Sequence, residues 1–222
     1  MLTNSLNFLS ELKDNNYREW FAENRSKYEI AKVEFEQFIA QLILRIKEFD
    51  NSIGALEPKD CIFRIFRDVR FSKNKDPYKT NFGAYMAKGG RKRGFSGYYF
   101  HLEPSESFIS GGVYMAPTIV MKRIREDMDL YSKEFLPIVQ KKSFTSTFQS
   151  LGEEKLKRVP TGFPADSEVS EYLKLKNITP LATLNNRDIV SSSLLEKTVG
   201  VFRELSPLVS FLNRSIEGVS ES

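Results

Sequence analysis

NFGAYMAKGGRKRGFSGYYFHLEPSESFISGGVYM, residues 81–115, is where the chain changes its period. Segments 81–88, 96–103 and 107–115 are rich in Phe, Tyr, Ile and Val and partly alternate, with Gly89-Gly90 and Pro104-Ser105 as breaks. Residues 61–71 have the same character, and Asp76-Pro77 follows them. Runs of this kind, separated by turn-forming residues, predict an antiparallel meander of about four strands. Within it, KGGRKRG (Lys88–Gly94) reads as a basic hairpin loop.

On both sides of the meander the period is helical. Leu6, Leu9 and Leu12 stand about a turn apart in a short helix over 4–14. Asn15-Asn16 ends it, and Asn16 with Glu19 has capping-box spacing for a second helix that runs to about Phe49. That helix carries an apolar stripe of Trp20, Phe21, Tyr28, Ala31, Phe35, Phe38, Leu42, Ile46 and Phe49, interrupted by Asn24. After Pro117 one helix holds Ile119, Ile124, Met128 and Tyr131, and another begins near Glu134. Residues 143–166 read as irregular, 168–176 as a short helix, and 193–217 as a terminal helix interrupted at Pro207. Helices, then sheet, then helices predict an α+β class. The expectation is a single domain over 1–222. Its central antiparallel sheet, about residues 61–115, is packed by a long N-terminal helix and by C-terminal helices.

Composition sets the bounds. The 222 residues are 41% hydrophobic and 28% charged, as in an ordinary globular chain. One cysteine, Cys61, excludes an internal disulfide, and with one histidine, His101, the chain alone cannot build a thiolate or imidazole zinc site. A carboxylate site for a hard metal stays open. The N-terminus lacks the basic region of a secretory signal, and no apolar run approaches about 20 residues, so a cytoplasmic protein with no membrane partner is expected. The net charge is +4, but residues 59–93 hold eleven Lys or Arg against three Asp, while the rest of the chain sums to −4. Such asymmetry favours an anionic partner at the basic segment.

The densest part is RIFRDVRFSKNKDPYK, Arg64–Lys79. On a strand, Arg64, Asp68 and Arg70 share one face and Arg67 takes the other. Asp68 then orients two guanidinium forks suited to phosphate oxygens. Lys73, Lys75 and Lys79 add charge, and Tyr78 is placed to stack on a base or donate its hydroxyl. The same residues also fit a structural ion-pair network with Asp68 buried between arginines. His101 and Glu103, two apart in a strand, face the same way and offer a general acid or base. The phosphate-loop pattern GxxxxGK followed by Ser or Thr, the dinucleotide pattern GxGxxG and the nucleophile elbow GxSxG are all missing, so no cofactor and no reaction is indicated.

Arg64, Arg67-Asp68, Arg70-Phe71, Asn74-Lys75 and Tyr78 resemble the central motif of a bacterial and fungal family, the domain of unknown function numbered 2461. The flanks resemble it too: Asn15–Phe21 with Asn24-Arg25, Tyr98–Pro104, Gly111-Gly112, and Arg158–Pro160 with Gly162. The family has no assigned activity, so the resemblance implies a site but no reaction. The reading that follows is a site for an anionic, phosphate-bearing ligand, either a nucleotide or a nucleic acid. It would be formed by Arg64, Arg67, Asp68, Arg70, Lys73, Lys75, Tyr78 and Lys79. Catalysis by His101 and Glu103 stays open. The alternative is a non-enzymatic module that docks an acidic protein.

Overall fold

A computed structural model describes residues 1–220. Helix α1 (Thr3–Asp14) is followed by α2 (Arg18–Glu23), α3 (Arg25–Lys47) and the short α4 (Pro58–Cys61). Strands β1 (Phe82–Ala87), β2 (Gly97–Leu102) and β3 (Ser107–Gly112) form the meander. Then come α5 (Thr118–Leu130), α6 (Ser132–Val139), α7 (Lys142–Thr147), α8 (Ser170–Leu173), β4 (Leu181–Leu184), α9 (Asn186–Val190) and α10 (Leu194–Ser220). The α+β class is as expected, with long helices at both ends of the chain.

The sheet is antiparallel in the order β1-β2-β3-β4. Its register pairs Ala84 with Phe100 and Phe100 with Ile109. These side chains belong to the buried face, with Phe82, Met86, Tyr98 and Leu102. Phe35 and Phe38 of α3 lay their rings on Phe82 and Phe100, and Phe202 of α10 meets Tyr98 at 5.2 Å. Aromatic pairs at such distances add to the burial that drives the core together. One hydrophobic cluster runs from Leu2 to Ile216.

The meander differs from its prediction at both ends. Residues 61–71 are not a strand. Phe63 N donates to Gly83 O at 2.9 Å and Ile62 bridges Ala84, so the chain follows the free edge of β1 for two residues. It then turns back on itself, with Arg67 N to Pro77 O at 3.0 Å and Lys79 N to Ile65 O at 2.8 Å. Beyond Ile65 the segment has no apolar face to bury, and a short, charged edge is the usual form of a sheet margin. The fourth strand is instead β4, which pairs with β3. Its four residues are too few to show a period.

Three helix expectations also change. The predicted helix 16–49 breaks at Asn24, whose backbone N and Nδ2 both donate to Trp20 O at 2.9 and 3.0 Å. Asn16 does not cap α2. Its Nδ2 donates to Tyr78 O at 3.1 Å and its Oδ1 accepts from Tyr78 N at 3.2 Å, so the amide stands in for a neighbouring strand. Helix α10 runs through Pro207 unbroken. Phe202, Leu205, Leu208, Val209, Phe211 and Leu212 are all buried around it, and this packing outweighs the roughly 3 kcal/mol that an interior proline costs.

Candidate functional site

The basic segment is built from α4 outwards. Glu57 and Asp60 form a capping box around Pro58, and Cys61 is fully buried. Burial pushes the Cys61 thiol up to about 12. This anchor fixes where Ile62–Phe66 begin. Opposite them stand Tyr28, Lys32, Phe35 and Glu36, which lie on one face of α3 at helical spacing. Between the two walls is a cleft of about 250 Å³, lined also by Lys59, Phe82 and Arg91.

Arg91 reaches the cleft because the hairpin loop docks on α4. Gly90 has a φ of +85°, and a Cβ there would lie 3.1 Å from Asp60 O. That close approach allows Arg91 N to donate to Asp60 O at 3.2 Å and Arg91 Nη1 to Lys59 O at 2.8 Å. Four cations, Lys32, Lys59, Arg64 and Arg91, thus line one cleft whose single acidic residue is Glu36. Lys32 lies 3.8 Å from Glu36 and Lys59 lies 2.5 Å from Glu57. Arg64 forms no hydrogen bond or ion pair among the described residues. Lys79 Nζ and the Arg91 guanidinium sit over the Phe63 ring at 5.5 and 5.8 Å. Burial, helped by the charge of Arg64, holds the Lys79 ammonium below its ordinary value.

On the sheet face away from the helices, Tyr99, His101 and Glu103 follow one another at the period of a strand. Tyr99 OH is 2.9 Å from His101 Nδ1, and His101 Nε2 is 3.0 Å from Glu103 Oε2. Thr80 Oγ1 donates to Glu103 Oε1 at 2.6 Å. The His101 and Glu103 side chains are 12% and 17% exposed. Phe108 stacks on the imidazole at 4.4 Å. Phe63 joins the two regions, since its ring lines the cleft and meets Tyr99 edge-on at 6.3 Å.

A family model described as a conserved hypothetical protein, DUF2461, matches residues 4–211, which include every residue of the cleft and of the Tyr99 row. The chain belongs to this family. No curated protein and no solved structure matches it.

In this DUF2461 protein the residues of the central motif do not all converge. Arg64 lines the cleft and Lys79 borders it through Phe63. Asp68 takes Arg70 alone, with Nε to Oδ1 at 3.0 Å and Nη2 to Oδ2 at 2.7 Å. It is 46% exposed, so it is not the buried centre of an arginine network. The hydrogen bonds from Arg70 hold the Asp68 carboxyl below its ordinary value. Arg67 donates to Asp76 O and Ser72 Oγ, and Lys75 to Val69 O, so both brace their own loop. Lys73 is exposed on that loop. Tyr78 is 6% exposed, with its ring stacked on Phe21 at 4.0 Å and the tilted Phe66 ring at 5.5 Å, so it is not presented to a base.

Lys32, Lys59 and Arg91 join the site from elsewhere, as do Tyr99 and Thr80. Arg91 and Lys59 belong to the basic stretch that the charge count isolates. Lys32 stands one turn after Tyr28 beside the apolar stripe, and nothing in its local pattern marks it. No helix among the described residues is long and apolar enough to cross a membrane.

Proposed function

We propose that the cleft between α3 and residues 59–66 binds an anionic, phosphate-bearing ligand, a nucleotide or a nucleic-acid phosphate. One observation carries this reading: the guanidinium of Arg64, which makes no hydrogen bond or ion pair among the described residues, shares a cleft with three further cations and one acid. A guanidinium presents paired donors that match phosphate oxygens. Tyr28, Phe63 and Phe66 supply rings beside the cations for a base or sugar to lie against. The volume is just below the usual range for small-ligand pockets, about 300–1,000 Å³, so the phosphate sits inside and the rest of the ligand lies across the rim.

Calorimetric titration with pyrophosphate, mononucleotides and short oligonucleotides tests this. Binding is expected in at least one case, with affinity falling about 10- to 100-fold in Arg64→Ala, the equivalent of about 1.5–3 kcal/mol for a hydrogen bond to a charged group. For an oligonucleotide, each phosphate contact contributes about 0.7–0.9 to the log–log salt slope. Replacing Arg91, Lys92 and Arg93 together by alanine is expected to flatten that slope. Absence of heat flow with all three ligand classes refutes the proposal; binding that Arg64→Ala leaves intact refutes the assigned cleft.

The protein-docking alternative keeps one specific support. Phe71 is 97% exposed, beside Arg70 on a loop that also carries Lys73 and Lys75. An acidic partner would use that loop rather than the cleft. Its binding would then be lost in Phe71→Ser and kept in Arg64→Ala.

A further inference from the structure

The row Thr80–Glu103–His101–Tyr99 ends in a hydroxyl that is only half satisfied. Glu103 accepts hydrogen bonds on both oxygens, from Thr80 Oγ1 and from the imidazole. A carboxylate only accepts, so Nε2 of the neutral ring carries the hydrogen and Nδ1 is left as an acceptor. Tyr99 O–H therefore donates to Nδ1. This is its sole hydrogen bond among the described residues, and its oxygen keeps free acceptor positions. Burial, with the charge of Glu103 added, pushes the Tyr99 hydroxyl up to about 12, so the phenol holds its proton at neutral pH.

The arrangement is held in place from several sides. A Cβ on Gly83 would lie 2.6 Å from Tyr99 OH, so only glycine lets the phenol lie across β1. Phe108 fixes the plane of the imidazole, and Thr80 fixes the carboxylate. A hydroxyl, a histidine base and a carboxylate that orients the histidine, in that order, have the relation that activates a hydroxyl in acyl and phosphoryl chemistry. The Tyr99 ring meets the Phe63 ring edge-on at 6.3 Å, and Lys79 Nζ and the Arg91 guanidinium lie over that same Phe63 ring at 5.5 and 5.8 Å.

We propose that Tyr99 is a catalytic residue that hydrolyses a phosphate ester whose phosphate is held from the cleft side of Phe63, with His101 as the proton store and Glu103 as the residue that positions it. Its substrate class rests on the phosphate reading above. In the attacking step a water oxygen forms a bond to phosphorus and gives one proton to the Tyr99 oxygen, while Tyr99 passes its own proton to His101 Nδ1. The imidazolium so formed faces the Glu103 carboxylate. The bond from phosphorus to the ester oxygen breaks with its electron pair on that oxygen. The stored proton then returns through Tyr99 to the departing alkoxide, which leaves as the alcohol. Water is the only co-reactant.

The test uses the full chain with bis(4-nitrophenyl) phosphate and 4-nitrophenyl phosphate, a diester and a monoester, beside the pyrophosphate titration. Wild type is expected to release nitrophenolate from at least one ester. Tyr99→Phe is expected to lose at least about 100-fold in kcat with KM unchanged, the usual scale for a positioned acid–base group. Arg64→Ala should raise KM and spare kcat. Because His101 is the only histidine, long-range proton–nitrogen spectra of the wild type read its tautomer without assignment, and Nε2–H is expected. No release from either ester while pyrophosphate still binds would overturn the relay and leave the cleft standing. No release and no binding would overturn both. Full kcat in Tyr99→Phe, or an Nδ1–H tautomer in the wild type, would overturn the relay alone.

Discussion

Asp68 and Arg64 show how far single residues can be read from their types. The mixture of arginines around one aspartate marks the segment correctly as basic and aromatic. Which arginine the aspartate holds depends on the path of the backbone. On a regular strand Asp68 would serve Arg64 and Arg70 together. The turn at 67–77 gives it Arg70 only, as a two-pronged pair at the surface, and leaves Arg64 to the cleft. Exposed pairs of this kind add little to stability, because water solvates both ions when they part. Asp68→Asn is therefore expected to leave the urea midpoint unchanged. It should also leave pyrophosphate binding intact, since Asp68 makes no hydrogen bond or ion pair with Arg64. A lower midpoint would show that the loop relies on this pair to hold its shape.

Among the elements, the legible ones were those long enough to repeat a pattern. The stripe of α3 buries one face and β2 alternates between buried and half-buried residues, while β1 and β3, buried at all but one position each, show as short runs of small and apolar residues between glycine and proline breaks. β4 has four residues, and the route of 62–63 along the edge of β1 is set by one backbone bridge, which leaves no mark on side-chain order. Gly111-Gly112 is intermediate: two glycines announce a close approach without naming the partner. At Gly112 the φ is +98° and a Cβ would lie 2.0 Å from Ile178 O, where Val113 and Ile178 exchange backbone hydrogen bonds at 2.8 and 3.0 Å. This contact ties the end of β3 to the segment that leads into β4. Gly112→Ala is expected to cost at least about 2 kcal/mol, from overpacking and a disfavoured φ together. Gly94→Ala is the control, with a φ of +77° and open space around its Cβ position. It should lose only about 1 kcal/mol of backbone energy. Urea melts of the two variants check the difference, and equal losses would mean that the β3–β4 junction yields without cost.

Across the whole molecule, burial holds several ionisable groups in their neutral forms. Burial raises the Cys61 thiol from 9.0 to about 12, and it also raises the hydroxyls of Tyr85, Tyr98 and Tyr99. Each of these groups loses its proton at a lower pH in the unfolded chain than in the folded one. Above the unfolded value the unfolded state therefore binds fewer protons, and rising pH favours unfolding. The thiol acts first, from about pH 9, and the phenols join from about pH 10, each contributing up to about 1.4 kcal/mol per pH unit. Lys79, held below its ordinary value, works in the opposite sense as the pH nears 10, but it is only half-buried and its effect is smaller. Urea midpoints at pH 8, 9 and 10 should fall, with the loss beginning at 9. Cys61→Ala should lower the midpoint at pH 8 by removing packing from a filled site, yet flatten the decline between 9 and 10, because the group that titrates there is gone. A decline in Cys61→Ala as steep as in the wild type would show that the thiol is not the first group to ionise, and that the anchor of the basic segment is wetter than its burial implies.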